Sequence, residues 1–336
     1  MCEKSAMKRS VGIVAYVLCC FALQVAAAEK NAPPANVVLK QFPIKVNQGV
    51  AVDAKYLYAI SNTTILKCDK ETGMTVASWK ADKTKDAFKH FTHMNSGTVI
   101  DGKLYCAHSR FPEDKNDNSI EVWNVEGTKI EHEKTIRMPR DHGSLTWIDR
   151  RKDDSWWLCY AVYGKDQNKN TRLVKYRFEN GQFAEVKVWT FPEEVRANWA
   201  WGSCSGGSWG PDGYLYTTGH DEPRAYVLEV DVNDQLKYVR TEEGVGFFGQ
   251  GIAWDRSSDK PVLWGIVRGK NISATLIPDK EPDRKSIGSK GAFLFLLAPL
   301  VTLHTADGPT PVVTVKKDLL NSIQKIQIAA TRGPRL

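Results

Sequence analysis

Hydrophobic positions between residues 36 and 278 fall in short runs, some alternating with polar residues and some wholly apolar, each bounded by Gly, Asp, Asn or Pro. That is a strand pattern. A larger unit is laid over it. A Gly opens an apolar stretch that usually ends at Asp; a turn and a second run, often reading Leu-Tyr, follow; a third and a fourth run complete the unit. The first copy takes residues 49–53, 55–60, 64–69 and 74–79, and the second 97–101, 103–107, 119–123 and 129–136. The third takes 143–149, 156–162, 172–178 and 184–191, and the fourth 207–212, 214–218, 225–230 and 236–241. The fifth has only three runs, at 251–255, 262–266 and 272–277.

The opening glycines Gly49, Gly97, Gly143, Gly207 and Gly251 lie 48, 46, 64 and 44 residues apart. A period of about 40–50 residues per four-stranded unit is that of a propeller blade. The pattern therefore predicts an all-β fold, a five-bladed β-propeller of four-stranded blades over residues 36–278. The long third interval is one blade with an extended exit over 193–206. The spare run at 36–43 is the expected outer strand of the fifth blade, which ties the two ends of the ring together and protects its sheet edges. A β-sandwich needs no such period. A sixth blade built from 279–336 is the main alternative.

The flanks read differently. Lys8 and Arg9 precede an apolar run over 11–25 and then Ala26, Ala27 and Ala28, the order of a secretory signal peptide, with cleavage expected after about Ala28. A secreted or periplasmic protein is the expectation. Residues 279–336 lack the repeat and read as a poorly ordered C-terminal extension; their twelve-residue apolar run, 292–303, is too short to cross a bilayer. No stable membrane span is expected once the signal is removed.

Composition adds exclusions. Apolar residues make up 42% and charged residues 25% of the 336, ordinary globular values that rule out a wholly disordered or multi-span chain. The net charge of +7 sits largely at the ends: residues 1–28 carry +2, residues 279–336 carry +4 and the body only +1. A nearly neutral body argues against a nucleic-acid partner. Of seven cysteines, Cys2, Cys19 and Cys20 leave with the signal; Cys68, Cys106, Cys159 and Cys204 remain. No C-x-x-C pair points to structural zinc, and disulfides and buried thiols are equally open. Asn62 and Asn271 begin glycosylation sequons.

The fold predicts where a site lies. Strand one of each blade is innermost and strand two returns beside it, so residues at the start of strand one and the end of strand two share one face and converge on the mouth of the central channel. At the starts stand Gln48, His93 with Asn95, His142, Gly206 with Gly207, and Gln250; at the ends stand Ser61 with Asn62, His108 with Ser109 and Arg110, Tyr163, His220 with Asp221 and Glu222, and Arg268. Four of seven histidines thus fall in one projected ring. His93, His108, His142 and His220 are the candidate catalytic residues, with His142 and His220 the leading bases. Gln48, Asn95, Arg110, Asp221, Glu222, Gln250 and Arg268 are the candidate substrate contacts. Imidazole and amide oxygens also suit a divalent metal, for which His108, His142, His220 and Gln250 are the candidate ligands. Trp199, Trp201 and Trp209 read either as rim packing or as a stacking platform for a sugar. Gln48 and Gln250 have a second reading, as links between neighbouring backbone groups around the ring. No nucleophile elbow, phosphate-binding loop or dinucleotide fingerprint is present.

Residues 47–69 and Gln250-Gly251-Ile252-Ala253-Trp254-Asp255 resemble exported bacterial-type propeller proteins loosely labelled cycloisomerase. His93-Met94-Asn95-Ser96-Gly97, the run Leu104 to Ser109, and Gly207 to Gly213 with Thr218 to Pro223 are similar to the same set. Gln48-Gly49 and the blade count are similar to the five-bladed glutamine cyclotransferases, although that family's Gly-Glu-Gly element is Asn95-Ser96-Gly97 here. Propeller oligogalacturonate lyases, which hold a metal with His and Gln at the channel mouth, are analogous. The resemblance implies a propeller over about residues 45–278. Two functional classes stand: a lyase or cyclase acting on a small acidic or carbohydrate substrate, with a His base, an Arg on the carboxylate and a metal or second His on the developing charge; and a noncatalytic propeller that binds a glycan or peptide.

Overall fold

The computed structural model describes residues 34–280 and one short pairing further on, Leu303–His304 with Val312–Val313. The expected signal peptide, 1–28, and the rest of the expected extension lie outside the described residues. By its internal contacts the chain divides into two units, Met1–Glu281 and Pro282–Leu336.

The first unit is a five-bladed β-propeller. Strand β1 is Val37–Phe42. Blade one is β2 (Gly49–Val52), β3 (Tyr56–Ser61), β4 (Thr64–Asp69) and β5 (Thr75–Lys80). Blade two is β6 (His93–Ile100), β7 (Lys103–Arg110), β8 (Asp114–Asn124) and β9 (Glu131–Arg137). Blade three is β10 (Ser144–Arg150), β11 (Trp156–Ala161), β12 (Arg172–Glu179) and β13 (Gln182–Thr190). Blade four is β14 (Gly206–Trp209), β15 (Leu215–Thr218), β16 (Ala225–Val230) and β17 (Leu236–Glu242). Blade five is β18 (Ala253–Trp254), β19 (Val262–Val267) and β20 (Asn271–Leu276), closed by β1, which pairs antiparallel with β20 from Val37 opposite Leu276 to Phe42 opposite Ile272. The spare N-terminal run thus fills the position expected of it. The long exit of blade three holds a short helix, α1 (Glu193–Arg196).

The second strand of each blade is largely buried because both of its faces are covered. In β3, Tyr58 and Ile60 pack toward blade two with Phe91, Leu104 and Trp123, while Leu57 and Ala59 pack toward blade five with Trp264 and Ile266. Every seam repeats this arrangement, so the interior is five apolar clusters, one between each pair of adjacent blades. In blades one and four the turn between strands one and two is held by the Asp that ends the apolar stretch. Asp53 accepts the amides of Lys55 and Tyr56 and the Tyr58 hydroxyl, and Asp212 does the same for Tyr214 and Tyr216.

Near the axis the inner strands approach one another closely. A Cβ on Gly251 would meet Ser96 Oγ at 2.5 Å and the Gly49 Cα at 2.8 Å, which is why small residues open these strands. On the far face Arg256, leaving β18, crosses to the opposite blades: it donates to Asp149 at 2.6 Å, to Thr98 at 3.3 Å and to the Trp209 carbonyl at 3.5 Å. The mouth is therefore a cup with a floor.

Candidate functional site

The ends of strand two do converge on one face, and the residues that meet there are partly those expected. From blade five, Arg268 donates through Nε to the Asn47 carbonyl at 3.2 Å and brings Nη2 to 3.3 Å from His220 Nε2. His220, just past β15 of blade four, donates its Nδ1 proton to Asp221. A guanidinium facing Nε2 and a carboxylate on Nδ1 together select the neutral tautomer whose lone pair lies on Nε2. Tyr163, from blade three, sets its ring 6.2 Å from the His220 ring, centroid to centroid. Phe111, from blade two, lies 5.6 Å from Tyr163 and 5.4 Å from His93. From blade one, Asn62 accepts from Gln48 Nε2 at 2.6 Å.

These neighbours set the charge states. Burial pushes the His93 imidazole down to about 4, and the Arg268 guanidinium adds to the effect, so His93 is a neutral ring at the cup wall. Burial pushes the Tyr163 hydroxyl well above its usual range and keeps it protonated. Ser205, directly before β14, faces Tyr163 with a buried hydroxyl that completes no hydrogen bond.

A pocket of about 340 Å³ opens beside His220, walled by Tyr163, Trp199, Trp201, Asp221 and Glu222. Trp201 is 72% exposed, although it is one of the largest apolar side chains. It is held out by its loop. Ala200 adopts the left-handed conformation (φ 48°), the Trp201 carbonyl accepts from the Gly164 amide, and Asn168 Nδ2 donates to the carbonyls of Ala200 and Gly202. Trp199, by contrast, is buried against Phe191, and Trp209 is buried in the seam between blades three and four.

Other expected members do not join the cup. His108 is fully buried between blades one and two. It accepts the Thr92 amide on Nε2 at 3.2 Å and donates from Nδ1 to Ser119 Oγ at 2.9 Å. Burial pushes it down to about 4, against the pull of the Glu121 carboxylate. Ser119 passes its proton to Glu121, which also accepts from His90 and His132, each at 2.8 Å, and from Thr135 at 2.7 Å. Burial acts to raise the Glu121 pKa, but its donors His132, His90 and Ser119 outweigh it and hold the carboxyl well below the usual range. His108 is thus one link in a buried network fastening blade two to the segment before it, with no ring nitrogen left for substrate or metal. The sequence placed it at the mouth because it counted strand ends and could not see which face of β7 the side chain takes.

His142 turns outward, to Glu185 on the outermost strand of blade three, at 2.8 Å, and lines a separate small pocket with Asp141, Asn170 and Arg172. Arg110 points to Asp117 within blade two, 3.5 Å away. Two amides close seams between blades: Gln250 donates to the His220 carbonyl at 2.8 Å and Asn95 to the Leu145 carbonyl at 2.7 Å, whereas Gln48 donates to Asn62 within blade one. Gln250 does so from a left-handed backbone (φ 61°). With His108 in the core, His142 turned away and Gln250 held by a carbonyl, His108, His142, His220 and Gln250 are not assembled as one ligand set. Among the described residues no three His, Cys, Asp or Glu side chains group as a metal site requires. Cys68, Cys106, Cys159 and Cys204 are all buried free thiols.

Fold and cup together define a propeller whose channel mouth presents an aspartate-held histidine beside a guanidinium. No family model matches the chain, and no curated protein matches it by sequence. Among solved structures it is similar to a luciferin-regenerating enzyme, at 11% identity, covering 75% of this chain and 98% of that one, with a TM-score of 0.47. It is also similar to the aldose sugar dehydrogenase of Streptomyces coelicolor, at 11% identity with 73% and 99% coverage and a TM-score of 0.42. A gluconolactonase of Xanthomonas campestris is 12% identical over 66% of this chain and 69% of that one, with a TM-score of 0.39. None of these likenesses bears on the chemistry of the mouth.

Proposed function

We propose that the protein is an exported propeller enzyme, a lyase or cyclase whose mouth takes a small carboxylate-bearing sugar derivative. The observation that carries this reading is His220: Asp221 on Nδ1, Nε2 turned to the cup, and Arg268 3.3 Å from that nitrogen. A carboxylate seated on Arg268 forms charge-assisted hydrogen bonds and brings its neighbouring carbon or hydroxyl to the His220 base. Asp221 fixes the tautomer and stabilises the imidazolium formed when the proton is taken. Tyr163, kept protonated by burial, offers an O–H to the charge that develops on the substrate. Trp201 supplies an exposed face against which a sugar ring stacks.

The test is turnover of uronates and sugar lactones by the purified protein. His220→Ala is expected to lower kcat by about 10²–10⁴-fold, the usual contribution of a positioned acid–base group. Arg268→Ala is expected to raise KM for acidic substrates above all. Saturable binding with no product, and a His220→Ala variant that loses affinity alone, would establish the binding-module reading in place of the enzyme.

A further inference from the structure

A second cavity, of about 870 Å³, lies on the face opposite the cup, formed by the turns between strands one and two of blades three, four and five. Its apolar wall is Trp209, Tyr214 and Trp254. Arg151 lies over the Trp209 ring, 4.4 Å from its centroid. Three of the lining carboxylates are already matched by cations. Asp255 is held by Lys70 at 2.9 Å, Asp212 has Arg240 at 3.7 Å and Asp153 has Lys175 at 3.9 Å. Likewise Arg256 is taken by Asp149, and Lys280 by Glu242. Among the described residues, Arg151, Lys152 and Lys260 have no carboxylate within 4.0 Å, against Asp259 and Asp279 as the carboxylates without a cation. Arg150 has only distant partners, at 3.6 and 3.8 Å. The indole nitrogens of Trp209 and Trp254 are buried without a hydrogen-bond partner, two unused donors in the wall.

We infer that this cavity is a second binding site, separate from the cup, for a small organic anion with a flat ring. Trp209 and Trp254 are only 3% exposed, so the ring lies against half-buried Tyr214 and the outer face of the Arg151 guanidinium that covers Trp209, and its carboxylate or phosphate meets Arg151 and Lys152. A planar guanidinium stacked on an aromatic face keeps its N–H edge free for such an oxyanion. Nothing in this inference depends on the cup being catalytic.

The experiment is titration calorimetry of the full protein with adenosine monophosphate and with salicylate, using inorganic phosphate as the ringless control. Saturable binding of at least one ring-bearing probe is expected, weaker in high salt and tighter than that of phosphate. The Arg151→Ala/Lys152→Ala double variant should lose at least tenfold in affinity. Lys152→Ala/Lys260→Ala, which alters exposed side chains only, should lose affinity in the same direction while melting like the parent. His220→Ala should bind as the parent does. Absence of saturable binding by both ring-bearing probes overturns the inference. So does binding that ignores the basic substitutions, or binding that His220→Ala abolishes.

Discussion

His108 shows how one residue type serves two purposes in this chain. Its neutral ring is consumed inside the core by the Thr92 amide and by Ser119, whereas the half-buried His220 turns Nε2 to the Arg268 guanidinium at the cup, 3.3 Å away. The difference is measurable through acid sensitivity. An unfolded histidine titrates near ~6.5, but His108 in the fold is held down to about 4. Protonation then favours the unfolded chain. The His108 contribution is full above pH 6.5, declines as pH falls through the interval, and is flat again below about 4, with a slope of about 1.4 kcal/mol per pH unit for one proton. Urea denaturation between pH 7 and 4 should show this decline, and His108→Gln should make it shallower. An unchanged slope would show that the ring is not held neutral in the fold. The sequence contains His108 at a strand end but not the direction of its side chain. The two faces of β7 differ by one residue of register, and only the blade packed against it decides which is core.

At the scale of elements, the repeat was legible because the second strand of each blade contributes apolar side chains to the two seams that flank it. The glycines were legible because the axis leaves no room for a side chain at Gly49 or Gly251. Strand positions agree closely with those runs, with the largest departures in blade two, where β8 starts at Asp114, five residues before the expected run. Strand β6 starts at His93, four residues before the expected glycine, because a register shift between Met94 and Gly97 lets the strand continue through a bulge. That bulge places His93 on the cup wall and turns Asn95 to the Leu145 carbonyl of blade three. The pocket loop was less legible. Trp201 reads like the buried Trp199 two residues earlier, and only the left-handed turn at Ala200 and its bonds to blade three separate them. Closure by β1 carries its own expectation. Removing residues 34–43 exposes the edge of β20 and uncovers the Trp264 face on which Phe42 stacks at 6.2 Å. Size-exclusion chromatography should show self-association of the truncated protein, and its urea transition should move to lower denaturant. A monomer with unchanged midpoint would show that the ring does not rely on this strand.

On the scale of the whole molecule, the channel is pinched by small residues and crossed by Arg256, so the two faces present separate chemistry: a cup with His220, Arg268 and Tyr163 on one, and a basic aromatic cavity on the other. No helix among the described residues is long and apolar enough to cross a membrane. The central claim is that blades four and five deliver His220 and Arg268 to the same ligand although 48 residues separate them. A double-mutant cycle measures this directly, with galacturonate affinity determined by calorimetry for the parent, His220→Ala, Arg268→Ala and the double variant. Shared contact predicts that the double variant loses clearly less than the product of the two single losses, a coupling of about 1 kcal/mol or more. Losses that simply multiply, or four proteins that bind galacturonate equally or not at all, would contradict it.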